Sequence, residues 1–205
     1  MTFYSKYILP RLTHWVCSLQ SMENLRKKVV PLARGRILEI GMGSGLNLPF
    51  YDPSQVDYLY GLEPSDTLQQ MAEKHAERLP FPVGFISLPG EEIPLETNSL
   101  DTVLVTYTLC TIPDIHQALG QMRRVLKPGG RLIFCDHGQA PDPGIRKWQE
   151  RINPVWKQVS GGCSLTRNIS NLITHNGFAI QKMTAQYQNA VKIASFTYKG
   201  IAVPV

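Results

Sequence analysis

No apolar run in this chain approaches the ~20 residues that cross a bilayer, so no membrane span is expected. The opening MTFYSKYILPRLTHW interrupts its apolar residues with Lys6, Pro10, Arg11 and His14. It therefore lacks the continuous apolar core of a secretory signal, and the expected compartment is the cytoplasm. Cysteine is scarce too. Cys17, Cys110, Cys135 and Cys163 stand far apart with no C-x-x-C pair, which argues against a metal site or disulfide framework and predicts reduced thiols. Charge is thin at 18% of residues, and the net +5 is dispersed apart from Arg26, Lys27, Lys28 and the pair Arg123, Arg124. No nucleic-acid recognition motif accompanies these groups, so they read as a solvated face with no nucleic-acid partner. There is no internal repeat and no linker. The 205 residues, 43% of them hydrophobic, fit one domain with a real core.

What the chain does have is concentrated at Gly35 to Gly45, GRILEIGMGSG. An apolar run, Ile37 to Ile40, carries Glu39 and breaks into Gly41, Gly43 and Gly45. This is a buried strand ending in a tight turn, where glycine permits positive φ and close approach of a ligand to the main chain. A dinucleotide fingerprint places its third glycine five residues after the first, but Leu46 occupies that position here. The spacing decides against an NAD enzyme. The pattern E-x-G-x-G-x-G instead resembles the S-adenosylmethionine loop of class I methyltransferases. That ligand is zwitterionic at its amino-acid end and positive at its sulfonium, which suits an acidic residue such as Glu39 beside bare backbone.

Residues 3 to 30 repeat apolar side chains at Tyr4, Ile8, Leu12, Trp15, Leu19 and Met22, steps that fit one face of a helix started or kinked at Pro10. Three readings stand: a face packed on the core, a lid (1–30) over an apolar substrate, or a surface touching lipid, since Tyr7 and Trp15 lie beside Lys6 and Arg11. A turn at Asn47 to Phe50 precedes a second strand, Val56 to Leu62, which ends in Glu63. Glu63 lies 22 residues past Gly41, where a carboxylate can accept from both ribose hydroxyls. Ser65 caps a helix from Asp66 to Leu79, and a third strand, Val83 to Ser87, leads to a turn holding Gly90, Glu91 and Glu92. An adenine would sit there.

Leu100 to Thr106 is a fourth strand, apolar on both faces, whose end Thr106-Tyr107-Thr108 should face the ligand. A helix from Asp114 to Leu126 ends at KPGG, and a fifth strand follows, Arg131 to Cys135. Beyond a loop at Gly138 to Gly144 come helical patches at Ile145 to Ile152 and Ser164 to His175. Strands Phe178 to Tyr187 and Ile193 to Val203 are placed to form an antiparallel hairpin. The alternation predicts an α/β doubly wound, mainly parallel Rossmann-like sheet.

Three further segments, NSLDTVLVTYTLCTIPD, ALGQMRRVLKPGGRLIF and NGFAI, resemble the small-molecule and quinone-biosynthesis-like branch of the class I methyltransferases. DHGQAPDPGIRKWQERINPVWK and GGCSLTR resemble the methyltransferase-like family that includes thiol S-methyltransferases and phospholipid-methyltransferase relatives. The resemblance implies a seven-stranded sheet with an antiparallel last strand and S-adenosylmethionine as cofactor, released as S-adenosylhomocysteine. It implies cofactor contacts from Glu39, Gly41, Gly43, Gly45, Asn47, Glu63, Pro64, Gly90, Glu91, Glu92 and Thr106. Pro89 stands where such sequences often carry an aspartate for the adenine amino group, which leaves Glu91, Glu92 or the Gly90 backbone to substitute.

Methyl transfer from a sulfonium is an in-line displacement, so positioning supplies much of the catalysis and a base is optional. His137 is the candidate base, ahead of His116 and His14; a histidine packed under the substrate loop is the bland alternative. Cys163 reads as a pocket wall and Arg167 as either a substrate-anion ligand or an ion-pair partner. The expected function is methyl transfer to a small apolar or amphiphilic acceptor, such as a thiol, a phospholipid amine or a quinone-like phenol, held between residues 1–30 and 138–176. The alternatives are an RNA or protein methyltransferase and a non-catalytic cofactor-binding module. No metal is expected, and peripheral lipid contact stays open.

Overall fold

The structure, a computed structural model, describes Tyr4 and residues 8–205. Strand β1 (Gly35–Ile40) lies between β2 (Val56–Leu62) and β4 (Leu100–Thr106), parallel to both. The chain winds outward from β1 through β2 to β3 (Val83–Ile86), then returns across β1 to β4 and β5 (Leu126–His137). The full order is β3-β2-β1-β4-β5-β7-β6, with β6 (Phe178–Tyr187) on the edge and β7 (Phe196–Pro204) antiparallel to both neighbours. This is the seven-stranded Rossmann-like sheet. The reversal of winding between β1 and β4 opens a crevice at the strands' carboxyl ends.

Alternation along the central strands fills both faces. Leu38, Ile40, Val103 and Val105 pack with α4 (Ile115–Val125) and α6 (Ile169–His175); Ile37, Leu104, Ile133 and Cys135 pack on the other face with α2 (Gln20–Val29). α3 (Asp66–Ala76) is capped by the Ser65 hydroxyl and α4 by the Asp114 carboxylate, which accept from Leu68 N and Gln117 N.

Several boundaries differ from the sequence reading. The N-terminal helix is two: α1 (Leu9–Cys17) and α2, separated where Leu19 is extended. Ser18 ends α1 by donating its hydroxyl to the Trp15 carbonyl. The expected apolar face does not pack on the core: Ile8, Leu12 and Leu19 are exposed, and Trp15 is 63% exposed. Lys6 and Tyr7 lie outside the described residues. α5 (Pro143–Val159) is a single helix, longer than the expected 145–152 patch, and runs through Pro154. The only hydrogen bond a proline there withdraws is to the carbonyl of Glu150, an exposed residue, so the cost stays small. Ser164 to Arg167 is turn, not helix; Asn168 starts α6. β5 absorbs KPGG through an irregular register opposite Leu100 and Thr102, and it runs two residues past Cys135. A short helix, α7 (Lys192–Ser195), replaces the start of the last expected strand.

Candidate functional site

At the end of β1 the chain turns through Gly41, Gly43 and Gly45 at φ of +67°, +59° and +80°. The amides of Gly41 and Met42 donate to the Leu62 carbonyl, which binds the turn to the end of β2. The three glycines have different reasons to lack a side chain. A Cβ on Gly41 would lie 2.3 Å from Thr108 Oγ1, and one on Gly45 would lie 2.8 Å from Leu48 Cδ1. On Gly43 it would meet no protein atom closer than 4.0 Å. Gly41 and Gly45 are packing glycines; Gly43 fronts a cavity of about 410 Å³.

Asn47, Thr106, Tyr107, Glu63, Pro64, Gly90 and Glu91 line that cavity, so the crevice gathers the strand ends in one place. Glu63, 7% exposed, accepts from Gly43 N through Oε2 and from Ser65 N through Oε1, each at 2.9 Å. Each oxygen retains a further lone pair. Burial raises its pKa against the pull of these two amides. Pro89, Gly90, Leu62, Ile112 and Pro113 form an apolar slot beyond it. Glu91 Oε1 accepts from Asp114 N, and its Oε2 is buried without a partner. Glu92 is exposed and off the wall.

Glu39 is not on the wall either. It is buried, accepting from Asn47 Nδ2 at 2.8 Å and from the Tyr51 hydroxyl at 2.6 Å, so both oxygens serve the protein. Asn47 also donates to Thr106 Oγ1, so Glu39 orients a wall residue from beneath. Burial pushes the Glu39 carboxyl up to about 7, above its ordinary 4.5. The fold thus favours the protonated acid, a contribution present in full below about pH 4.5 and lost as the pH rises through about 7. Glu39→Gln, which cannot ionise, is expected to gain stability over wild type across that window, by up to roughly 3 kcal/mol. Denaturant melts at pH 5 and pH 8 check this; an equal difference at both pH values contradicts it.

Three expected site residues lie elsewhere. His137 is the last residue of β5, paired with Thr197 in the ladder, and its Nε2 points at Cys163 Sγ, 3.0 Å away. Neither residue lines the cavity. Arg167 donates to the carbonyls of Leu109 and Ile112, fixing the loop after β4; it does not line the cavity, and among the described residues it has no carboxylate within ion-pair distance. His116 is bonded to Asn176.

Other residues take their places. Leu9, Pro10, Thr13, His14 and Cys17 of α1 roof the cavity, with Ser160 and Gly161 at the end of α5 opposite. Gly161 is close enough to Leu9 that a Cβ would sit 2.7 Å from Leu9 Cδ2. His14 Nδ1 and Ser44 Oγ share a 2.6 Å hydrogen bond over the glycine turn. Arg26 lines the cavity at 5% exposure, stacked 5.2 Å from the Tyr107 ring centroid. Its Nη1 donates to the Cys17 carbonyl, its Nε has no partner, and among the described residues it has no carboxylate within ion-pair distance. A buried guanidinium without an anion is costly, and a ligand carboxylate would relieve it. Arg26 falls on the stripe Met22-Leu25-Arg26-Val29, and a basic residue on a buried stripe was the signal available in the sequence.

Residues 38–134 match the methyltransferase domain family. A human thiol S-methyltransferase is 31% identical over 176 residues, covering 80% of this chain and 70% of that protein. A demethylmenaquinone methyltransferase of Clavibacter sepedonicus is 28% identical, covering 87% and 74%. A solved S-adenosylmethionine-dependent methyltransferase of Thermotoga maritima, described as a possible histamine N-methyltransferase, superposes with a TM-score of 0.64 at 20% identity, covering 97% and 96%.

Proposed function

The chain belongs to the class I S-adenosylmethionine-dependent methyltransferases, and from that membership we propose that it methylates the sulfur of a small apolar or amphiphilic thiol. The cofactor, when bound, supplies an electrophilic methyl group on a sulfonium, and its product is S-adenosylhomocysteine. Glu63 would hold the ribose hydroxyls, the Gly90–Glu91 slot the adenine, and Gly43 the close backbone approach. The unpaired Arg26 guanidinium would take the methionine carboxylate, with Asn47, whose Oδ1 lacks a partner, on the ammonium side.

The observation that carries the acceptor class is the distribution of charge on the wall. Among the described residues its carboxylates, Glu63 and Glu91, both lie on the ribose and adenine side, whereas the α1 and α5 side offers Leu9, Pro10, Thr13, His14, Cys17, Ser160 and Gly161. A protonated amine would find no counter-charge there. A thiol suits it, because a pKa near 8.5 provides some thiolate at neutral pH without a base. With His137 turned away, positioning and exclusion of water fall to α1 as a roof and to Ser160 and Gly161 after α5 as the opposing wall.

The test is S-adenosylhomocysteine release across thiol, phenol, amine and phospholipid panels. Thiols are expected to dominate, with kcat/KM rising toward the thiol pKa and falling no more than about tenfold in His14→Ala. Turnover of amines without thiols overturns the acceptor, and no cofactor binding at millimolar concentration overturns the site.

A further inference from the structure

Behind the roofed cavity, three chemically soft side chains from distant parts of the sequence converge: Cys110 in the loop after β4, His137 at the end of β5 and Cys163 in the loop after α5. We propose that these residues form a binding site for a thiophilic divalent cation of the Zn²⁺ type. Their ligand atoms, two Sγ and one imidazole nitrogen, all lie within 4.8 Å of one another, and His137 Nε2 is 3.0 Å from Cys163 Sγ. A tetrahedral zinc with bonds of 2.0–2.3 Å holds neighbouring ligand atoms about 3.5–3.8 Å apart, between those two separations. Small side-chain rotations close the set.

The surroundings suit a bound cation. Trp156 Nε1 donates to Cys163 Sγ at 3.3 Å, a hydrogen bond that a thiolate accepts better than a thiol. Asp136, fully buried, accepts from Cys110 N through Oδ2 while its Oδ1 has no partner, and no cationic side chain lies within ion-pair distance among the described residues. A buried acidic side chain against Cys110, with no cationic partner, is one that a cation bound at the thiols would stabilise. Binding through His137 Nε2 puts the imidazole proton on Nδ1, which is buried without an acceptor, so the site forgoes the outer hydrogen bond that usually orients a ligating histidine. On binding, two S–H bonds break and release two protons to solvent as two S–Zn bonds and one N–Zn bond form, with no change of oxidation state.

The site would fasten the cavity wall. Cys110 immediately precedes Thr111 and Ile112, and Cys163 follows Ser160 and Gly161, all four of which line the cavity. A cation held by both cysteines and by β5 fixes the α5 end against the β4–α4 loop.

Reduced, metal-free full-length protein titrated with Co²⁺ should give one equivalent of sulfur-to-cobalt charge-transfer absorption with tetrahedral visible bands, displaced by Zn²⁺. Zn²⁺ should also slow alkylation of the half-buried Cys163 in the wild type, a readout that needs no variant. Cys163→Ser, at a half-buried position, should weaken Zn²⁺ binding by at least about 100-fold, and Cys17→Ser should leave it unchanged. Absence of the charge-transfer band, a Cys163 alkylated as fast with Zn²⁺ as without it, or wild-type affinity in a folded Cys163→Ser overturns the proposal.

Discussion

Glu63→Ala is expected to lower affinity for S-adenosylmethionine by about 100- to 10,000-fold. Two ribose hydroxyls donating to a carboxylate make two charge-assisted hydrogen bonds of about 1.5–3 kcal/mol each, and 1.4 kcal/mol is tenfold in affinity. The loss is not limited to the ligand. Glu63 also accepts from Gly43 N and Ser65 N, so its removal strands one amide in the glycine turn and one at the start of α3. Glu63→Gln keeps one acceptor oxygen and should lose only about 10- to 30-fold, whereas Glu92→Ala, at an exposed position off the wall, should bind as wild type. Calorimetry with S-adenosylmethionine and S-adenosylhomocysteine measures all three. An Ala variant within threefold of wild type would remove Glu63 from the ribose site.

The glycine turn and the carboxylate at the end of β2 are readable in the sequence because both depend on a strand's end and on topology. Once β1 and β2 are adjacent parallel strands, a residue after Leu62 must reach the turn after Ile40, and Glu63 does so through Gly43 N. Direction is what spacing does not convey. The sequence places Glu39 correctly as an acidic group near the loop. Its carboxylate nevertheless serves Asn47 and Tyr51, because the turn at Leu48–Phe50 folds those donors back over it. The pattern after β5 likewise suggests a His137 free to act. Two more ladder residues put it in register with Thr197, and that pairing directs its ring toward Cys163.

Tertiary neighbours account for the rest. Cys110, His137 and Cys163 look unrelated along the chain, and only the approach of the α5 end to the β4–α4 loop assembles them. Arg26 carries chemistry that its own helix cannot explain. The apolar stripe of α1 is legible as a stripe, but its periodicity is the same whether it faces a core or, as here, faces outward while the opposite side roofs the cavity.

Gly41→Ala and Gly43→Ala should fail in different ways. Both positions have positive φ, so each substitution meets the left-handed penalty of about 1–2 kcal/mol. At Gly41 the new methyl would also lie 2.3 Å from Thr108 Oγ1, 2.5 Å from its Cγ2 and 3.0 Å from its Cβ. Rotation of the threonine cannot clear its own Cβ, so overpacking adds about 1–3 kcal/mol, a total loss of about 2–5 kcal/mol from a typical 5–15. At Gly43 the methyl meets no protein atom within 4.0 Å and projects into open space. Gly43→Ala should therefore stay folded with only the φ cost, yet bind S-adenosylhomocysteine about 10- to 100-fold more weakly. Thr108→Ala in the Gly41→Ala background removes the Oγ1 and Cγ2 clashes but keeps the Cβ at 3.0 Å, so it should recover most of the packing part of the loss and none of the φ part. Denaturant melts set beside calorimetry separate these outcomes. If Gly43→Ala bound the cofactor as wild type does, Gly43 would not be where the ligand approaches the main chain, and the turn would owe its glycines to packing alone.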